Sequence, residues 1–262
     1  MVLKKILLMT LLFCLLFCFA SCGNKKESDV LEKMDYFETG RYNLGDGFGF
    51  SITTSITKYY GKNNIVYIPK YKDLEENFGP YGLIDEYAFT KNAEIEKIIF
   101  QDEDVYSSLR IGKYCFYKCV NLTHMNVYEF GTIDEYAFYN TNITFDEVKL
   151  NIVEECGFSN ITGKIKTIIF KEDIPAKIGS DAFRNSNIDE IVLPKKIEYL
   201  DENCFRGLTG TTIKFSGTTE ELTVIFIDAL SKENNYDPRL IGVDEILCSD
   251  GILVLSEVLF DF

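Results

Sequence analysis

The sequence predicts a β-rich repeat solenoid, and three observations carry that prediction. A hexapeptide recurs, a phenylalanine returns at a near-constant interval, and a short β-prone segment follows each return. The hexapeptide IDEYAF stands at 84–89 and again at 133–138, 49 residues apart. Aligned on its last residue, Phe89 or Phe138, it has four further relatives: IGKYCF (Phe116), VEECGF (Phe158), IGSDAF (Phe183) and LDENCF (Phe205). Successive phenylalanines lie 27, 22, 20, 25 and 22 residues apart. A period of this length signals stacked units, because one unit cannot bury its own apolar face and a neighbour on each side can.

The 262 residues suit one or two domains and are enough for a sizeable core. In chain order, the first element is MVLKKILLMTLLFCLLFCFASC. Lys4 and Lys5 precede an apolar run from Ile6 to Ala20. That length matches a signal h-region and falls short of the ~20 residues a spanning helix needs. Small residues Ala20 and Ser21 stand before Cys22, and FASC resembles a bacterial lipobox. The resemblance implies removal of residues 1–21 and acylation of Cys22, hence attachment to a membrane. Each buried CH₂ contributes ~0.8 kcal/mol, so several acyl chains hold where a single one is marginal. The alternative is an ordinary secretory signal with an incidental cysteine. Residues 22–35 begin CGNKKESD and read as a flexible tether.

The repeats follow. After each Phe comes a short apolar segment: IEKIIF from Ile95, LTHMNV from Leu122, ITFDEVKL from Ile143, KIKTIIF from Lys164, IDEIVL from Ile188 and TIKF from Thr212. β-Branched and aromatic residues dominate, and the lengths suit strands. In IDEIVL, alternation turns Ile188, Ile191 and Leu193 inward and Asp189, Glu190 and Val192 outward. Within the hexapeptide, the Ile, the small residue and the Phe are expected in the core, with Asp and Glu facing solvent. The carboxyl end, TTEELTVIFIDALS, reads as an amphipathic helix with Thr218 or Thr219 as N-cap, followed by a strand over Glu245–Leu255. Together they would close the exposed end of the stack. The final SEVLFDF alternates as barrel strands do, but no set of spanning strands precedes it, so it reads as a last capping strand.

These residues lead to a family resemblance. IDEIVLPKKIEYLDENCF resembles the repeat of BspA-like bacterial leucine-rich-repeat proteins, with Ile188, Ile191, Leu193, Pro194, Ile197, Leu200, Cys204 and Phe205 on its pattern positions. The stretch SITKYYGKNNIVYIPKYKDLEENFGPYGLIDEYAF is similar to that family's divergent first repeat. IKFSGTTEELTVIF with EILCSDGIL is similar to its terminal module. The resemblance implies a leucine-rich-repeat solenoid, α/β or β-rich, with one short parallel strand per repeat of ~20–27 residues. It divides the chain into an N-terminal cap and first repeat (36–80), the solenoid (81–217) and a helix–strand cap (218–262).

Composition and single residues exclude more than they suggest. A formal charge of −14 disfavours nucleic acid and anionic lipid headgroups; it serves solubility, or a basic partner surface. Beyond Cys14, Cys18 and Cys22, five cysteines remain: Cys115, Cys119, Cys156, Cys204 and Cys248. An odd number argues against a complete disulfide framework. Cys115 and Cys204 replace Ala88, Ala137 and Ala182 before the repeat Phe, so they read as small core residues. His124 is the chain's one histidine, and no nucleophile motif or phosphate loop accompanies it. Asp102, Glu103 and Asp104 lack the spaced oxygen ligands of a calcium loop and read as a solvated insertion. The sequons at Asn121, Asn142 and Asn160 read as polar repeat turns. No catalytic site, metal or cofactor is therefore expected.

Binding is the remaining class, and the outward strand face is its candidate surface. The expected binding residues are Glu96, Lys97, Thr123, His124, Asn126, Lys166, Thr167, Asp189 and Glu190, with Ile99, Ile169 and Val192 between them. Six continuous strands give a face on the order of 480 Å², below the ~800 Å² per partner of a standard interface. The family resemblance implies a surface adhesin that recognises host extracellular matrix or neighbouring cells. An envelope scaffold facing the periplasm, organising other envelope proteins, is the alternative.

Overall fold

The computed structural model describes residues 37–45, 50–70, 80–101, 108–201, 203–232 and 241–257. The signal, Cys22, the tether, the Asp102–Asp104 run and residues 258–262 lie outside the described residues. The described residues begin with a hairpin of β1 (Phe37–Gly45) and β2 (Phe50–Tyr59). Two strand series then alternate. One contains β3 (Ile65–Ile68), β5 (Lys97–Phe100), β7 (His124–Met125), β9 (Phe145–Leu150), β11 (Lys164–Phe170), β13 (Asn187–Leu193) and β15 (Thr212–Phe215). The other contains β4 (Tyr81–Ile84), β6 (Arg110–Ile111), β8 (Thr132–Ile133), β10 (Ile152–Val153), β12 (Ala176–Ile178) and β14 (Ile197–Leu200).

Each apolar segment expected to be a strand contains one, in the first series. The structure adds the second series, so each coil has two short parallel strands. Those strands end on the leading apolar residue of each Phe motif: Ile84, Ile111, Ile133, Val153, Ile178 and Leu200, all at most 2% exposed. They join β1 and β2 in an eight-stranded sheet in the order β1-β2-β4-β6-β8-β10-β12-β14. The first series does not form one continuous face. It divides into a three-stranded sheet, β3-β5-β7, and a six-stranded sheet that runs from β9 to the C-terminal cap.

The Phe motifs form the third side of each coil, and a hydrogen-bond rule repeats along them. In the IGKYCF coil, the amides of Tyr114, Phe116 and Lys118 donate to the carbonyls of Glu135, Ala137 and Tyr139 in the next coil, at 3.0, 2.8 and 2.9 Å. The intervening amides of Cys115, Tyr117 and Cys119 close turns onto Gly112, Tyr114 and Phe116 of their own coil. Alternating the two kinds of bond requires a left-handed backbone two residues before and two after each Phe. Those positions hold Tyr87 and Lys91, Tyr114 and Lys118, Tyr136 and Asn140, Cys156 and Asn160, Asp181 and Asn185, then Asn203 and Gly207, with φ between 53° and 74°. Asn, Asp and Gly tolerate this region; Tyr, Lys and Cys are driven into it at ~1–2 kcal/mol each, offset by the bonds between coils.

This geometry places one Phe directly over the next. The rings of Tyr59, Phe89, Phe116, Phe138, Phe158, Phe183 and Phe205 stack in sequence, with centroids 5.1–6.2 Å apart. The residue before each Phe is small because it is fully enclosed beside the stack: Ala88, Cys115, Ala137, Ala182 and Cys204 are at most 1% exposed. The five cysteines are buried and free, as the repeat alignment implies. Burial pushes the Cys119 thiol up to about 12 and those of Cys115 and Cys204 well above their ordinary range, so they stay protonated. The hexapeptide's acids do not all face solvent as expected. Asp85 is half-buried, but Asp134 is only 8% exposed, held by the Arg110 guanidinium of the preceding coil at 2.8 Å.

The cap begins with helix α1 (Thr219–Lys232). Thr218 is its N-cap: the Glu221 amide donates to the Thr218 hydroxyl oxygen at 3.2 Å, and the Thr218 amide donates back to the Glu221 carboxylate at 2.8 Å. This reciprocal pair satisfies two amides that the helix cannot bond internally. The expected single strand after it is instead a hairpin, β16 (Glu245–Cys248) and β17 (Gly251–Val254). Its two-residue turn, Ser249–Asp250, leads into Gly251, and Asp250 accepts the Thr219 amide at 2.8 Å, tying turn to helix.

Phe138 is fully buried, stacked on Phe116 and Phe158 and met edge-on by Phe130. Phe138→Ala should cost about 3–5 kcal/mol in a denaturant titration. A loss below about 1 kcal/mol would contradict the stack's role.

Candidate recognition surface

A concavity lies at the division of the strand face. β7 stops after Met125 because the Asn126 side chain takes over the backbone bonding of its neighbour. Its Oδ1 accepts the Phe100 amide at 2.8 Å and its Nδ2 donates to the Phe100 carbonyl at 2.9 Å. Contact with the next coil persists on both sides of the gap. Thr144 donates its amide and hydroxyl to the Thr123 carbonyl at 3.0 and 2.8 Å, and Lys149 donates its amide to the Tyr128 carbonyl at 2.8 Å. Between these anchors lies a groove of about 720 Å³ lined by His124, Asn126, Tyr128, Asp146, Glu147, Lys149, Lys164 and Lys166, among others.

Of the nine expected binding residues, three line this groove: His124, Asn126 and Lys166. His124 is exposed, Asn126 has its amide committed to Phe100, and Lys166 pairs with Asp146 at 2.5 Å. Glu96 and Lys97 are exposed beside β7, and the Thr123 hydroxyl donates to the Glu96 carbonyl at 3.1 Å. Thr167, Asp189 and Glu190 belong to the six-stranded sheet, where Thr167 stands in register with Glu190. Asp189 pairs with Lys164 at 2.9 Å and Glu190 with Lys214 at 2.5 Å. The face is thus a lattice of exposed cross-strand ion pairs, each worth ~0–1 kcal/mol. A partner can exchange such pairs at little cost.

Tyr128, Asp146, Glu147, Lys149 and Lys164 are groove residues that sequence reasoning missed. Strand alternation marks outward positions but not a gap between strands. The available signal was the irregular segment 139–158, which contains the shortest Phe-to-Phe interval, 20 residues. Groove cations exceed carboxylates, with three lysines against Asp146 and Glu147, in a chain whose net charge is −14.

A second hollow, of about 510 Å³, opens against the eight-stranded sheet. Asp85, Glu86, Asp134, Glu135 and Glu154 line it with Arg110 and Lys113. Lys113 pairs with Glu135 and Arg110 with Asp134. Burial holds the Asp134 carboxyl above its ordinary range despite Arg110. Partial desolvation by the walls of the hollow raises Glu154 as well, although its surface stays exposed, with the Asp134 charge adding to the effect. Glu154 therefore binds its proton more tightly folded than unfolded. Its contribution favours folding below the unfolded value of ~4.3 and is lost as pH rises through the raised native value. Glu154→Gln should raise the melting temperature at neutral pH and leave it unchanged near pH ~4. An equal shift at both pH values would show that charge is not the cause.

Comparison with known proteins places the repeats in a family. The BspA type leucine rich repeat region matches residues 82–212 in six copies. Among solved structures, the T. pallidum leucine rich repeat protein is 18% identical, with 71% of each chain covered and a TM-score of 0.42. A leucine-rich repeat protein from Bacteroides ovatus is 15% identical, with 69% of this chain and 64% of that chain covered and a TM-score of 0.27. None of the curated proteins matches the chain in sequence. The six matched copies take in half of the chain, and they coincide with the Phe-stacked coils: the chain belongs to the BspA-type leucine-rich-repeat family.

Proposed function

We propose that this protein is a non-catalytic, lipid-anchored surface protein of the bacterial cell envelope that recognises other proteins, with host extracellular matrix or neighbouring cells as its targets. The observation that carries the reading is the strand face. The six-stranded sheet presents a lattice of exchangeable cross-strand ion pairs, bordered by a groove that exposes His124, Tyr128 and the surrounding charges. Leucine-rich-repeat solenoids are typically binding scaffolds that use such extended surfaces. Weak, exchangeable pairs of this kind suit modest affinity multiplied by many copies on one surface. The signal-like residues 1–21 and Cys22 support an acyl anchor with the tether as spacer. The acidic charge argues against nucleic acid as a partner.

Three measurements test this reading. Radioactive fatty acid should label the wild-type chain and leave Cys22→Ala unlabelled; equal labelling refutes the anchor. Protease added to intact cells should degrade the protein, whereas protection until lysis places it inside the envelope. On immobilised matrix proteins, saturable binding should weaken several-fold in a His124→Ala, Lys166→Ala double variant. Unchanged binding removes the groove from the reading.

A further inference from the structure

The turn side of the solenoid carries a surface of different chemistry. Tyr87, Tyr114 and Tyr136 each stand two residues before a stacked Phe. Their rings stack at 5.3 and 5.0 Å with planes 8° and 7° apart. Tyr117 and Tyr139 form a parallel column at 5.4 Å, and Tyr117 meets Tyr114 edge-on at the same distance. Five tyrosines from three successive coils thus make one cluster; Tyr87 is 44% exposed and the others half-buried. Such clusters suit recognition, since tyrosine offers a large contact area with few rotatable bonds and stacking has already ordered these rings. Cations already sit on them: the Lys113 and Lys118 ammonium groups lie 5.8 and 5.2 Å from the Tyr114 and Tyr117 ring centres.

The acidic hollow adjoins this cluster through the chain itself. Glu86, Lys113 and Glu135, which line the hollow, directly precede Tyr87, Tyr114 and Tyr136. Five carboxylates face two cations there. At the far end of the column, the Tyr136 hydroxyl donates to Glu155 at 2.7 Å, adding a sixth acid at the rim. We propose that the tyrosine columns and the acidic hollow form one docking surface for a basic segment of a partner protein. A Lys or Arg head group enters the hollow while its aliphatic stem lies along the tyrosine edges. The chain's −14 charge draws such a partner in from a distance. The inference rests on the reading of the protein as a recognition module and names a surface and partner chemistry for it.

The chain has no Trp, so its intrinsic fluorescence comes from its 16 tyrosines, five of which form this cluster. The test titrates the full chain with a blocked hexa-arginine peptide, and separately with hexa-glutamate. Saturable hexa-arginine binding that falls at least tenfold in Tyr114→Ser, Tyr136→Ser and in Glu86→Gln, Glu154→Gln supports the proposal. So does near-wild-type binding by Tyr114→Phe. A Glu220→Gln, Glu245→Gln variant removes the same charge at exposed cap positions and should bind normally. An equal fall in that control, unchanged binding in the tyrosine variant, or tighter binding of hexa-glutamate overturns the proposal. Circular dichroism verifies folding, and Tyr87→Ser at the exposed end of the column replaces the double variant if that unfolds. The strand-face assay on immobilised proteins uses other residues, so failure of either result is read independently of the other.

Discussion

Everything in this molecule depends on the alternating hydrogen bonds of the Phe motifs. Every second amide leaves its own coil to reach a carbonyl of the next, and the amides between them close tight turns at home. That rule forces two left-handed residues per coil and sets the offset between coils. It also brings each Phe ring over the last. No coil satisfies its own backbone, so stability belongs to the stack, as expected for a one-dimensional repeat protein.

The same constraint orders the surface. Once successive coils are in register, equivalent residues form rows, and a row takes its character from whatever side chain the sequence places there. Phenylalanines make a core column and tyrosines two surface columns. Lysines alternate with acids across the strand face. Where the register is kept but the backbone ladder is not, as at Asn126, a row opens into a groove. At the division between the two sheets, the Asn126 amide side chain stands in for a backbone partner of Phe100.

Much of this was legible in the residues. The Phe spacing marks each coil, alternation in IDEIVL marks its inward side, and TTEELTVIF marks the capping helix. Cys115 and Cys204 stand where other copies have Ala, which identifies them as packing residues. The second strand of each coil was harder to see, because Arg110–Ile111 and Ile152–Val153 are two residues long and show no periodicity. The motif alone points Asp134 toward solvent; in the fold it is buried against Arg110, 24 residues away. The tyrosines were visible as letters in IDEYAF and IGKYCF, but their stacking depends on coil-to-coil register.

The sequence by itself determined the repeat class, the number of coils and the core-facing positions, because these follow from periodicity within one coil and composition at each place. Only the tertiary structure decided where the strand face breaks, which charges pair across coils and which side chains gather into hollows or columns. The physical reason is that those features lie between coils. Their partners stand about one period apart in the chain, and that separation becomes contact only when the backbone bonds of one coil are completed by the next.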